Sequence, residues 1–143
     1  MDKPKINKKS TESFLKTLDG YGDLVIRTVP MPSDCNHGGT VFGGWLLSQI
    51  DVGASISAIY HCQGRVVTRS VKDVEFIRPI NASSLVDIYT RPNKFGRTSV
   101  TLDVHVFVTD AKMKNELVAT AELLFVKISS GREPTPISNN KEY

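Results

Sequence analysis

Asp34-Cys35-Asn36-His37-Gly38-Gly39-Thr40-Val41-Phe42-Gly43-Gly44-Trp45, running on into Leu46-Leu47-Ser48-Gln49-Ile50-Asp51, decides how the rest of the chain is read. Two glycine pairs and an Asn lead into an apolar run that predicts a helix from about Gly44 to His61, with Gly64 as its C-terminal stop. Glycines ahead of a helix start let another molecule come close to the backbone, where unpaired N–H groups face outward. A carboxylate inside an apolar helix, here Asp51 about two turns in, costs free energy unless it is paired or has chemistry to do. The two features together suggest a place that polarises a carbonyl and a base that activates water. That is a hydrolase-like pattern.

At about 100° per residue, Gly44, Ser48, Asp51 and Ser55 fall within roughly 60° of one another around this helix. The remaining circumference is mostly Trp45, Leu46, Leu47, Ile50, Val52, Ala54, Ile56, Ala58 and Ile59. A narrow polar stripe is compatible with a face toward solvent or a neighbouring loop. It is equally compatible with Asp51 as general base or nucleophile. Asn36 reads either as a turn residue or as a partner in that chemistry. The glycine pairs read either as tight turns or as an approach to oxyanion-stabilising N–H groups, helped by the positive end of the helix dipole.

Outward from the helix the period changes. Upstream, residues 23–29 form a strand closed by Pro30 and Pro32, and residues 14–18 suggest a short helical turn. Downstream, residues 66–77, 84–91, 99–109 and 117–128 read as strands. The clearest alternation sets Val100, Leu102, Val104, Val106 and Val108 against Thr101, Asp103, His105 and Thr109, with Phe107 as the exception. Short connections favour antiparallel neighbours. The fold class expected is α+β: an antiparallel sheet with one long apolar helix against it. A helix so apolar must be nearly enclosed, so the sheet must curl around it, and spare sheet surface or edge is expected to meet another subunit. The expected boundaries are an N-terminal segment over residues 1–20, a domain over 21–130, and a polar, proline-containing tail over 131–143.

The 143 residues suit one domain. The net charge of +3 suggests nucleic acid only until it is located. Lys3, Lys5, Lys8 and Lys9 against Asp2 supply all of it within the first ten residues, so a basic nucleic-acid surface is not indicated. Cys35, His37, His61 and Cys62 lack the spacing of a structural zinc site, and no metal is expected. Two reduced thiols, no apolar stretch of about 20 residues and no secretory h-region point to a cytoplasmic protein without a membrane span. Lys94-Phe95-Gly96-Arg97-Thr98-Ser99 reads as an ordinary polar hairpin turn or as a cradle for phosphate oxygens. His37, His61 and His105 each read as surface or structural.

With these residues in view, the chain resembles the hotdog-fold acyl-CoA thioesterases, in particular the YciA-like and cytosolic acyl-CoA hydrolase branch. The resemblance is carried by Met31-Pro32-Ser33-Asp34-Cys35-Asn36, Gly39, Phe42-Gly43-Gly44-Trp45 and Ser48-Gln49-Ile50-Asp51. Arg65-Val66-Val67-Thr68, Phe76-Ile77-Arg78-Pro79 and Gly96-Arg97-Thr98-Ser99 follow in order. It implies a sheet wrapped around a central helix, dimers whose two sheets join, and trimers of dimers. It also implies hydrolysis of an acyl-CoA to free acid and CoA with no metal or redox cofactor. Asp51 would activate water or attack the thioester carbonyl, and Asn36 would act across the dimer. Gly43 and Gly44 would offer N–H groups to the thioester oxygen, and Arg97, Thr98 and Ser99 would lie along the CoA arm. Cys35 stands where Thr is usual, and Ala54-Ser55 follow Gly53 where the family often has a Gly pair, which bears on acyl-chain length. A non-catalytic acyl-CoA-binding or sensing module, or a purely structural oligomerisation domain, would reuse the same architecture.

Overall fold

The computed structural model describes residues 17–109, 112 and 114–138. The lysine-rich head, most of the helical turn expected at 14–18, part of the turn at 110–115 and the last five residues lie outside them. The described elements run β1 (Thr17–Leu18), β2 (Gly22–Thr28), α1 (Gly43–Cys62), β3 (Val66–Phe76), β4 (Leu85–Phe95), β5 (Ser99–Thr109) and β6 (Asn115–Lys127). The strands form one sheet in the order β1-β2-β4-β5-β6-β3, every neighbour antiparallel. Thr17 and Leu18 are strand rather than helix, paired with Asp23 and Gly22, so the sheet begins before residue 21. Gly22, at φ +93°, backs onto the Thr90 carbonyl, where a Cβ would collide.

The alternation over 99–109 has a direct structural meaning. Val100, Leu102, Val104 and Val106 are fully buried on the inner face, beside Val86 and Ile88 of β4 and Ala119, Leu123 and Phe125 of β6. Leu46, Ile50, Ala54, Ala58 and Cys62 of α1 pack down onto them, at the three- and four-residue spacings of one helix stripe. Burying a side chain such as Ile50 is worth about 1.5–3 kcal/mol. A Cβ on Gly53 would stand 3.0 Å from Val25 and 3.3 Å from Ile26, so this glycine sets how closely the helix meets β2. Phe107, the exception to the alternation, is 6% exposed. It packs edge-on against Tyr21 and Tyr89 in a small aromatic cluster on the other face. Nearby Asp87, 1% exposed, accepts both Arg27 Nε (2.6 Å) and Arg27 Nη2 (2.8 Å).

Two further expectations need correction. β4 does not close before Pro92 but continues to Phe95, with a register shift between Pro92 and Lys94 that absorbs the missing N–H. The left-handed residue that ends α1 is Gln63, at φ 53°, not Gly64, which instead gives room to the Lys127 side chain. The sheet wraps α1 as expected, from one side within a single chain. Val52, Ile56, Ile59 and Tyr60 are 45–63% exposed, and Val71 and Phe76 on the edge strand β3 are exposed beside them. Within one protomer the helix is therefore not enclosed.

Candidate functional site

Asp51 sits half-buried near the middle of α1. Its Oδ1 accepts a 2.7 Å hydrogen bond from Thr68 Oγ1 on β3, the strand that returns beside the helix. The neighbouring hydroxyls of the stripe are turned away from it: Ser48 Oγ donates to the Trp45 carbonyl and Ser55 Oγ to the Val52 carbonyl, both at 2.7 Å. On this stripe, Asp51 alone presents a charged group outward. Thr68 is the residue that sequence reasoning missed as a participant. The available signal was a hydroxyl on the strand that follows the helix, at a position whose register partner, Phe125, lies in the core.

Asn36 organises its own loop. Its Oδ1 accepts from the Gly38 N–H at 2.9 Å and the Thr40 N–H at 3.3 Å, and its Nδ2 donates to Thr40 Oγ1 at 3.1 Å. Gly39, at φ +82°, completes the turn. Val41 N–H donating to the Ile80 carbonyl at 2.8 Å then ties the loop to the body. The described contacts do not join Asn36 to Asp51 of the same chain. At the helix start, Phe42 is the N-cap and gives no side-chain hydrogen bond, so the first-turn N–H groups have no partner within the helix. The two glycines there differ. A Cβ on Gly43 would meet the Phe76 ring at 3.3 Å, whereas around Gly44 there is nothing within 4 Å. A cavity of about 300 Å³ opens beside them, lined by Thr40, Val41, Gly43, Leu46 and residues 76–80.

Arg97, Thr98 and Ser99 stand at the opposite end of α1. Phe95, just before them, lies edge-on to His61 at 6.1 Å between ring centroids, and the Thr98 carbonyl accepts from Lys127 N–H at 2.8 Å. Twenty helical residues separate this turn from Gly43 by about 30 Å. One protomer thus brings Asp51 and Thr68 together but leaves the glycine amides and the cationic turn apart. Cys35 with His37 and His61 with Cys62 are likewise at opposite ends, and among the described residues no cluster of three metal-ligating side chains occurs. His105 lies across the sheet from Asp51, edge-on to Tyr21 at 4.8 Å. Burial pushes its pKa below the ordinary value; Arg91 adds to that and Asp103 opposes it. Ala54 is fully buried toward the sheet, so of the two departures after Gly53 only Ser55 lies on the stripe of Asp51.

A long apolar helix laid on one antiparallel sheet, with a hydrogen-bonded carboxylate and a glycine-opened N-terminus, defines a hotdog-fold hydrolase. The family model for the thioesterase superfamily matches residues 38–114, and the chain belongs to that superfamily. The acyl-CoA thioester hydrolase YciA of Salmonella typhimurium is 38% identical over 131 residues, 86% of this chain and 97% of the relative. The alanine variant at one aspartate of HI0827, a hexameric broad-specificity acyl-coenzyme A thioesterase, superposes with a TM-score of 0.81. The two share 35% identity, covering 84% of this chain and 89% of that one. An acyl-CoA hydrolase from Staphylococcus aureus, 29% identical with a TM-score of 0.76, covers 78% of this chain and 68% of that one. In three of its structures an Asn, an Asp and a Thr, successively 15 and 17 positions apart, are each replaced by alanine. Asn36, Asp51 and Thr68 are separated by the same 15 and 17 positions.

Proposed function

We infer that this chain is an acyl-CoA thioester hydrolase, releasing a free carboxylic acid and CoA, with Asp51 as its catalytic carboxylate. The observation that carries the assignment of the site is the Thr68–Asp51 hydrogen bond on an otherwise apolar helix. Thr68 holds one carboxylate oxygen and so orients the other. In the general-base route, Asp51 takes a proton from water and the water oxygen bonds to the thioester carbon. The carbonyl oxygen becomes an oxyanion facing the N–H groups of Gly43 and Gly44, and collapse breaks the C–S bond. The Asp51 carboxyl returns the proton to the departing CoA thiolate. In the nucleophilic route, Asp51 attacks the thioester carbon first, the C–S bond breaks and CoA leaves as a thiolate that takes a proton from water. Water then cleaves the mixed anhydride to free acid and Asp51, with the same residues in use. No metal or redox group enters either route.

Geometry argues for a site shared between two copies. Gly44 and Asp51 are seven residues apart on one helix, about 10 Å along its axis. An oxyanion must lie within roughly 3 Å of its donors and the base within reach of the attacking water. On one helix the two groups would need nearly the full reach of these contacts in line, which favours donors from a second copy. A partner helix packed antiparallel across the open face of Val52, Ile56 and Ile59, with the edge strands β3 adjoining, supplies its own Gly43, Gly44 and Asn36 to this Asp51. The same face explains why the helix is apolar on both sides of its narrow polar stripe. Assembly as a trimer of such dimers follows the hexameric relatives. Both cysteines are free and no described helix is long and apolar enough to cross a membrane, which supports the cytoplasm as the working compartment.

The test is thiol release from short, medium and long acyl-CoAs by wild type, Asp51→Ala and Thr68→Val. Loss of Asp51 is expected to lower kcat about 10²–10⁴-fold, the worth of a positioned base, and Thr68→Val to lower it about tenfold. Tight acyl-CoA binding with no turnover would instead assign the chain to the sensing modules.

A further inference from the structure

Residues 131–143 read in the sequence as a tail, yet the segment up to residue 137 turns back onto the body of the protein. Arg132, in the left-handed region at φ 63°, makes the reversal. Arg132 N–H donates to the Ser129 carbonyl and Ser129 N–H to the Glu133 carbonyl, both at 2.9 Å. Ile128 and Pro134 then form an antiparallel bridge. Beyond it, Thr135 N–H donates to the Lys127 carbonyl and Ile137 N–H to the Arg97 carbonyl, both at 2.8 Å. The order Pro134-Thr135-Pro136-Ile137 is what such a segment needs. Donors alternate with prolines, so every N–H points toward the body, and the outer edge carries no donor that could recruit another strand. The Ile137 side chain packs against the hydrophobic core.

What this segment grips is the tip of the β4–β5 turn. The Thr98 carbonyl is held by β6 through Lys127 N–H, and the Arg97 carbonyl by Ile137. Gly96 N–H donates to the Ser99 carbonyl at 2.8 Å, with the Ser99 hydroxyl lying where a Cβ of residue 96 would be. Arg97 itself is exposed. We propose that residues 134–137 are a positioning strap for the substrate: by fixing the Arg97 carbonyl they aim its guanidinium at the nucleotide phosphates of the CoA ester. The proposal rests on the reading that residues 97–99 lie along the CoA arm. Removing the grip therefore weakens capture of the nucleotide and leaves the chemistry at Asp51 unchanged.

Ile137→Pro deletes the N–H donor while keeping an apolar ring, and Ile137→Val keeps both donor and core contact. Full-length wild type and both variants are compared for KM and kcat on butyryl-CoA, for inhibition by adenosine 3′,5′-bisphosphate, and for melting temperature. In Ile137→Pro, KM and the inhibition constant of the bisphosphate are expected to rise together, about fivefold, the order of one hydrogen bond. Unchanged kcat and restoration by Ile137→Val complete the expected result. An unchanged KM overturns the proposal. So does a rise in KM without a rise in the inhibition constant, or a fall in kcat that tracks a lower melting temperature. Wild type that releases no thiol from any acyl-CoA overturns the hydrolase reading, and the strap's role with it. Wild type that turns over normally beside an unaffected Ile137→Pro overturns the strap alone.

Discussion

The two ends of α1 are built on opposite principles. At its N-terminus side chains are withdrawn: Gly43 and Gly44 are exposed, the N-cap Phe42 makes no side-chain capping hydrogen bond, and the cavity adjoining Gly43 is largely apolar. At its C-terminus the side chains are large and many are cationic. The Lys127 side chain lies at Gly64, Arg65 follows it, and Lys94 and Arg97 flank Phe95 in the chain, whose ring meets His61 beside Tyr60. None of these cations takes part in the described ion pairs, Arg27–Asp87, Arg78–Glu116 and Arg91–Asp103. On the function proposed above, the difference matches the kind of negative charge each end would meet. A transient oxyanion needs fixed N–H dipoles and the positive end of the helix dipole, with no flexible group in the way. Permanent phosphates brought to the negative end of a helix need mobile cations that outweigh the dipole. From Asp51 to the end of the helix is about 16 Å, and on the function proposed above a CoA ester would run from the base toward the cationic end of one protomer. The oxyanion donors would then come from the glycine end of the other.

The comparison breaks most easily at Gly44. Its surroundings within the protomer are empty to 4 Å, so packing does not require glycine there. Gly44→Ala is expected to stabilise the helix by about 0.5–1 kcal/mol while lowering kcat roughly 10²-fold, because the added methyl keeps the carbonyl from the amides. Gly43→Ala is the control in the opposite sense, since the Phe76 ring at 3.3 Å must give way and the gain in stability shrinks or vanishes. Thermal melts and kcat on butyryl-CoA for both variants decide it. A Gly44→Ala enzyme of normal kcat removes the oxyanion role from this end.

The glycine end was legible in the sequence and the cationic end only half so, for physical reasons. Helix and inner strands announce themselves through hydrophobic period: α1 was expected over 44–61 and spans Gly43–Cys62, and the valine alternation of β5 became a buried face. Pro92 misled because proline reads as a strand end, while a register shift lets β4 pass through it. The strap was invisible because it is held mainly by backbone N–H groups in a polar, proline-bearing segment, with Ile137 its main apolar anchor. Thr68 was missed because a hydroxyl on a strand looks ordinary until the helix opposite presents Asp51 to it. The open helix face is a further lesson: the sequence demanded enclosure, and one chain does not provide it.

Arg97 sharpens the comparison at the other end. If the cationic turn holds phosphates, Arg97→Ala raises KM for butyryl-CoA about five- to tenfold and leaves kcat unchanged. The wild-type KM rises with salt, and the variant's rises less, because exposed charges are screened over about 10 Å at 0.1 M ionic strength. Steady-state kinetics at 50 and 300 mM KCl read both effects. A loss confined to kcat would move Arg97 out of the nucleotide site.

The smallest effect belongs to neither end and isolates stability from catalysis. His105, on the far face of the sheet among Tyr21, Arg91 and Asp103, has its pKa lowered by burial below the ordinary 6.5. As pH falls below about 6.5, the unfolded chain takes up a proton that the folded imidazole still refuses. Stability is therefore lost with acidification and levels off only below the folded pKa. His105→Gln cannot take up that proton, so its melting temperature should fall less than that of wild type between pH 7.5 and 5.5. Its kcat on butyryl-CoA at pH 7.5 should be unchanged, because the residue touches neither Asp51 nor the cationic turn. Parallel melting curves for the two proteins would show that the buried imidazole is not the group that senses acid. An altered kcat would mean that the outer face of the sheet communicates with the helix it supports.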